Sequence, residues 1–110
     1  MKVLTLVSTA TVFAAAAIAM PAAAQDADAA MKTLKTENCT KCHSVDKSKK
    51  GPSYQKVAAK YKGKTDAEAK LNTFLTTTPK VKLDDGSEEE HKVLKDDKAR
   101  ANLIKWVLSQ

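Results

Sequence analysis

The sequence predicts an all-α domain of about four helices, and three observations predict it. Apolar residues recur at helical spacing in four separate stretches. Capping and stop residues bracket those stretches. Strand-like alternation is confined to Lys80-Val81-Lys82-Leu83, and four residues do not form a sheet alone.

The first residues read as an export signal rather than as part of the fold. Lys2 supplies a short basic start, Val3 to Ala19 is apolar but diluted by Thr and Ser, and Ala22-Ala23-Ala24 offers small residues for cleavage. Residues 1–24 are therefore assigned to a signal peptide and 25–110 to one domain. The alternative is a retained N-terminal anchor, but the apolar run is short for a membrane span and an acidic, polar stretch follows it. No stable membrane insertion is expected once it is removed, and the expected location is the periplasm.

Beyond the signal, Ala27, Ala30, Met31 and Leu34 fall at i, i+3, i+4 and i+7, which predicts a first helix running into Cys39. Ser44 to Gly51 lacks an apolar period and is predicted as a loop, and Gly51-Pro52 as a turn. Tyr54, Val57, Ala58 and Tyr61 share one face of a second helix, which Gly63 ends. Thr65-Asp66-Ala67-Glu68 has the form of a capping box with Thr65 as the cap, opening a third helix lined by Ala67, Leu71, Phe74 and Leu75. The Thr76-Thr77-Thr78-Pro79 run stops it. Lys80 to Gly86 is predicted as a loop, and Ser87-Glu88-Glu89-Glu90 as a second capping box opening a short turn that carries His91. Asp96 or Asp97 caps a last helix with a broad stripe of Leu103, Ile104, Trp106, Val107 and Leu108.

Composition narrows the function. Eighty-six residues from Gln25 to Gln110 bury a modest core and call for a staple. Their aromatic residues are only Tyr54, Tyr61, Phe74 and Trp106, so a non-protein group is expected to fill part of the interior. Loss of Lys2 leaves 18 Lys and Arg against 13 Asp and Glu, a net charge of +5. Arg100 is the single arginine. Nucleic-acid readers favour the planar arginine fork, so no nucleic-acid partner is expected. Scattered lysines suit a solvated surface or the steering of an acidic protein.

The chemistry lies in Cys39-Thr40-Lys41-Cys42-His43, the attachment pattern for a c-type haem. Two thiols three residues apart at a helix end lie on one face and reach two vinyl groups of one porphyrin. His43 then stands beneath the metal, where its imidazole can bind iron. Three other readings compete. A thioredoxin-like dithiol needs a strand-to-helix junction that this pattern lacks. A structural disulfide suits an oxidising compartment. A zinc site would have to use Cys39, Cys42, His43 and His91, the only Cys and His residues, and adjacent Cys42 and His43 chelate awkwardly.

With these residues in view, the chain resembles the small bacterial class I cytochromes c over most of residues 25–110. The resemblance rests on Cys39-Thr40-Lys41-Cys42-His43, on Gly51-Pro52-Ser53-Tyr54 with Val57-Ala58-Ala59-Lys60-Tyr61, and on Leu103-Ile104-Lys105-Trp106-Val107-Leu108. It implies the cytochrome c fold, one covalent haem c per chain, and crossing first and last helices with Met31 and Leu34 against Leu103 and Val107. It further implies that the Pro52 carbonyl accepts a hydrogen bond from His43, fixing its tautomer. Tyr54 and Trp106 are expected near the haem, with plain core packing as the alternative.

In one respect the chain departs from that family. The resemblance calls for a distal Met between the third and last helices, and none is there; after residue 24 the only Met is Met31. His91 is the expected replacement iron ligand, with Lys80 and Lys82 as minor candidates and an open position as the other option. An exposed surface His beside Glu88, Glu89 and Glu90 is the plain alternative. The expected function is that of a periplasmic electron carrier, not an enzyme, meeting redox partner proteins through lysines such as Lys41, Lys49 and Lys50. The alternative function is a haem protein with a displaceable site that binds or senses a diatomic gas; a haem subunit of a larger oxidoreductase is a third.

Overall fold

The computed structural model describes residues 25–110, and the predicted export signal, residues 1–24, lies outside the described residues. Four helices follow in order: α1 (Ala27–Thr36), α2 (Tyr54–Tyr61), α3 (Ala67–Phe74) and α4 (Asp97–Leu108). Cys39–Lys41 forms a single 3₁₀ turn between α1 and α2. Strands β1 (Lys80–Lys82) and β2 (Glu88–Glu90) form a small antiparallel hairpin between α3 and α4.

Helices α1 and α4 pack together, as expected. Asp26 caps α1 by accepting from the Ala29 amide at 3.0 Å, and Asp96 caps α4 by accepting from the Ala99 amide at 2.8 Å. At their junction the Asp26 amide donates to Asn102 Oδ1 at 2.6 Å and Asn102 Nδ2 donates back to the Asp26 carbonyl at 2.8 Å. The core gathers Ala30, Leu34, Tyr54, Leu94, Leu103, Trp106 and Val107.

Several expectations need correction. Met31 is exposed, and Ala30 is the residue that meets α4 beside Leu34. The apolar stripe is centred on Ala30 and Leu34, which leaves Met31 at its edge. Helix α1 ends at Thr36, short of the cysteines, because the chain turns through Asn38 at φ 58° before the 3₁₀ turn. Residues 65–68 do not form the expected box; Asp66 precedes α3 and its side chain makes no capping bond. Gly63, at φ 75°, follows α2 in the left-handed region as expected.

The hairpin is the largest departure. Glu88 to Glu90 is a strand, not the start of a helical turn. Lys80 faces Glu90 and Lys82 faces Glu88 across the ladder, so opposite charges pair where like charges along each strand would repel. The alternation of Lys80-Val81-Lys82-Leu83 does mark β1, with Val81 turned to the cavity, but Glu88 to Glu90 is polar throughout and nothing apolar announces β2. At its base the His91 amide donates to the Pro79 carbonyl at 2.8 Å.

Candidate haem site

The four helices leave a cavity of about 800 Å³ lined mainly by apolar atoms. Cys39, Cys42, His43, Tyr54, Phe74, Leu75 and His91 line it, together with Leu103, Ile104 and Val107 of α4. No helix of the described residues is long and apolar enough to cross a membrane.

The 3₁₀ turn places the cysteines. The Cys42 and His43 amides both donate to the Cys39 carbonyl, at 3.2 and 3.0 Å, which brings the three residues onto one tight turn at the cavity edge. Both thiols are free, so the disulfide reading finds no support. Burial pushes the Cys39 thiol above its usual range, with Glu37 adding to the effect and Lys92 opposing it. A redox dithiol needs the opposite shift. Among the described residues no three His, Cys, Asp or Glu side chains converge on a metal by themselves, which argues against the zinc reading.

His43 is held from two sides. Its Nδ1–H donates to the Pro52 carbonyl at 2.6 Å, which leaves Nε2 as the free lone pair. Gly51 lies against the ring so closely that a Cβ there would stand 2.6 Å from His43 Cε1. The Gly51 amide in turn donates to the Cys42 carbonyl at 2.8 Å, tying the loop to the attachment turn.

His91 stands across from His43, with ring centroids 6.1 Å apart and planes inclined by 50°. Its Nδ1–H donates to the Lys92 carbonyl at 2.9 Å, so Nε2 is again the free nitrogen. The edge of Phe74 packs on its ring at 4.7 Å. Burial holds the His91 imidazole below its usual pKa, favouring the neutral form that can bind a metal. The ring is half-buried and lines the cavity. Lys82 also lines the cavity, whereas Lys80 is not among its lining residues.

Tyr54 stacks on His43 at 5.3 Å and meets the edge of Trp106 at 5.4 Å. Its hydroxyl is buried without a hydrogen-bond partner from the protein, and burial pushes the phenol well above its usual pKa. Trp106 is not among the cavity-lining residues; it stands behind Tyr54 in the core.

These features fit a covalent haem. Two thiols and a tautomer-fixed imidazole share one edge, the walls are apolar, and an orphaned buried hydroxyl awaits a polar partner. Sequence reasoning misses Phe74 and Gly51 as contacts of the two imidazoles; the sequence marks Gly51 as a turn residue and as part of the Gly51-Pro52-Ser53-Tyr54 stretch, not as the residue against the His43 ring.

The comparisons agree with this geometry. The family model described as Cytochrome c matches residues 20–110. Cytochrome c-551 of Pseudomonas aeruginosa is 34% identical over 84 residues, covering 70% of this chain and 72% of that protein. Among solved structures, the class 1 cytochrome MtoD of Sideroxydans lithotrophicus ES-1 is 53% identical, with a TM-score of 0.76 over 78% of this chain and 97% of that one. Cytochrome c552 of Nitrosomonas europaea is 28% identical, with a TM-score of 0.60 over 76% of this chain and 98% of its own. From the Cys39-Thr40-Lys41-Cys42-His43 attachment motif to the helical fold around the cavity, this chain belongs to the cytochrome c family, a small monohaem class I member binding covalent haem c and serving as an electron carrier.

Proposed function

We propose that this protein is an exported, periplasmic carrier of single electrons whose haem iron is held between His43 and His91. One observation carries the ligation. Both Nε2 atoms are free and the two rings are close enough that one metal ion could be held between them, at about 2 Å per bond to nitrogen. The centroids of the His43 and His91 rings are 6.1 Å apart.

When bound, the haem supplies a one-electron couple between ferric and ferrous iron. The chain's own residues do the rest. Cys39 and Cys42 retain the group, and Pro52 and the Lys92 carbonyl each fix one imidazole tautomer. The apolar wall of α4 excludes water, which limits reorganisation when the charge changes. Lys41 and Lys50, exposed residues that line the cavity, would meet acidic groups on a redox partner. Lys49 serves differently, donating to the Thr40 carbonyl at 3.0 Å.

Optical spectra in both oxidation states test this reading, with His91→Ala beside the parent protein. A low-spin, six-coordinate parent and a high-spin variant are expected. A variant spectrum identical to the parent's removes His91 from the iron. Rapid carbon monoxide binding by the parent at low concentration would favour the gas-binding alternative, for which the half-buried, tautomer-fixed His91 gives no support.

A further inference from the structure

Arg100, the chain's single arginine, has a side chain only 11% exposed. Three of its N–H groups are committed: Nε to Asn72 Oδ1 at 2.7 Å, Nη1 to the Leu94 carbonyl at 2.8 Å, and Nη2 to Asp97 Oδ1 at 2.6 Å. Asp97 is 88% exposed, so its ion pair is screened by water and does not account for burying a guanidinium. The acceptors explain it better. Asn72 belongs to α3, Asp97 opens α4, and Leu94 lies within the irregular segment that runs from His91 to Asp96.

That segment has no ladder or helix of its own to hold it. A metal ligand on irregular backbone keeps its position only through bonds to its surroundings. At the front, the His91 amide is bonded to Pro79; at the back, the Leu94 amide donates to the Leu75 carbonyl at 3.0 Å. The remaining rear bond is Arg100 to the Leu94 carbonyl. Lys92 adds an exposed contact to Glu37, at 3.0 Å to its carbonyl and 2.9 Å to its carboxylate. The guanidinium thus joins the segment to the two helices that build the distal wall, since α3 carries Phe74 against His91 and α4 carries Leu103 and Val107.

We propose that Arg100 is a positioning residue for the distal ligand: its three-way hydrogen bonding locks the His91–Leu94 segment so that His91 stays opposite His43. The proposal rests on the reading of His91 as the second iron ligand. A lysine cannot replace it in full, because its compact ammonium lacks the planar fork that meets three acceptors in one plane.

The test uses the full chain matured with haem, and carbon monoxide as the probe of distal opening. Arg100→Met is expected to raise the rate of carbon monoxide binding to the reduced protein about tenfold, since local opening limits access to the iron. Arg100→Lys should fall between it and the parent. Asn102→Ala, which weakens the distant α1–α4 junction, should lower thermal stability and leave that rate unchanged. If Arg100→Met does not fold, Asn72→Ala removes the α3 anchor alone and should accelerate binding in the same direction. A parent-like rate in the folded Arg100 or Asn72 variant, beside a high-spin His91→Ala, overturns the positioning role alone. So does equal acceleration by Asn102→Ala. An unchanged spectrum in His91→Ala overturns the ligation reading and takes this proposal with it.

Discussion

The imidazoles of His43 and His91 face one another at 6.1 Å, each with its Nδ1–H given to a backbone carbonyl and its Nε2 left free. Imidazole in place of a thioether favours ferric iron more strongly. With His91 on the iron, as proposed, the midpoint potential should lie below that of a His/Met-ligated relative by about 0.1 V or more, within the about 0.8 V that axial ligands command. Potentiometric titration of both proteins in one buffer checks this, and equal potentials would contradict it.

Gly51 leaves no room for a side chain against His43. Gly51→Ala should push the ring or the 43–52 loop aside and cost about 1–3 kcal/mol, the usual range for overpacking. Denaturant titration of the haem-bound protein gives the stability change. A variant as stable as the parent would mean that the loop yields freely.

The Tyr54 hydroxyl is buried with no protein partner. If it bonds the haem, Tyr54→Phe should destabilise the haem-bound protein by about 1 kcal/mol. Were the hydroxyl unpaired there too, the same substitution would be neutral or stabilising. The sign of the change in unfolding free energy decides between these outcomes.

Lys41 and Lys50 sit at the edge of the cavity. Electron-transfer rates with an acidic protein partner should fall as salt rises, because a Debye length of about 10 Å at 0.1 M shortens the reach of exposed charges. Stopped-flow rates across a salt series test this. A flat profile, or no loss on Lys41→Gln with Lys50→Gln, would reduce these lysines to solubilising residues.

Much of this molecule is legible in its sequence where the signal is local. Asp96 announces the start of α4, and the spacing of Leu103, Ile104 and Val107 announces the buried face. Cys39, Cys42 and His43 declare their chemistry by spacing alone. What escapes is what depends on partners distant along the chain. The β1–β2 hairpin pairs Lys80 with Glu90 and Lys82 with Glu88; the alternation of residues 80–83 hints at β1, but the all-Glu β2 has no apolar period to announce it. His91 is legible as the candidate second ligand, because the expected Met is missing and no other His is left; what holds it near His43, the bonds to Pro79 and Lys92 and the edge of Phe74, is not. Arg100 counts in composition only as one more positive charge; its burial appears once Asn72, Leu94 and Asp97 are brought to it.

The bond from His91 to Pro79 closes the hairpin at its root, making Lys80 to Glu90 a side excursion from the main path of the chain. Val81, Lys82, Leu83, Glu89 and Glu90 still line the cavity, so within the hairpin it is the tip, Asp84 to Gly86, that stands clear of it and tolerates a change of length best. A peptide tag or a surface-attachment cysteine grafted there would offer a handle for wiring the protein to an electrode through residues that do not line the cavity.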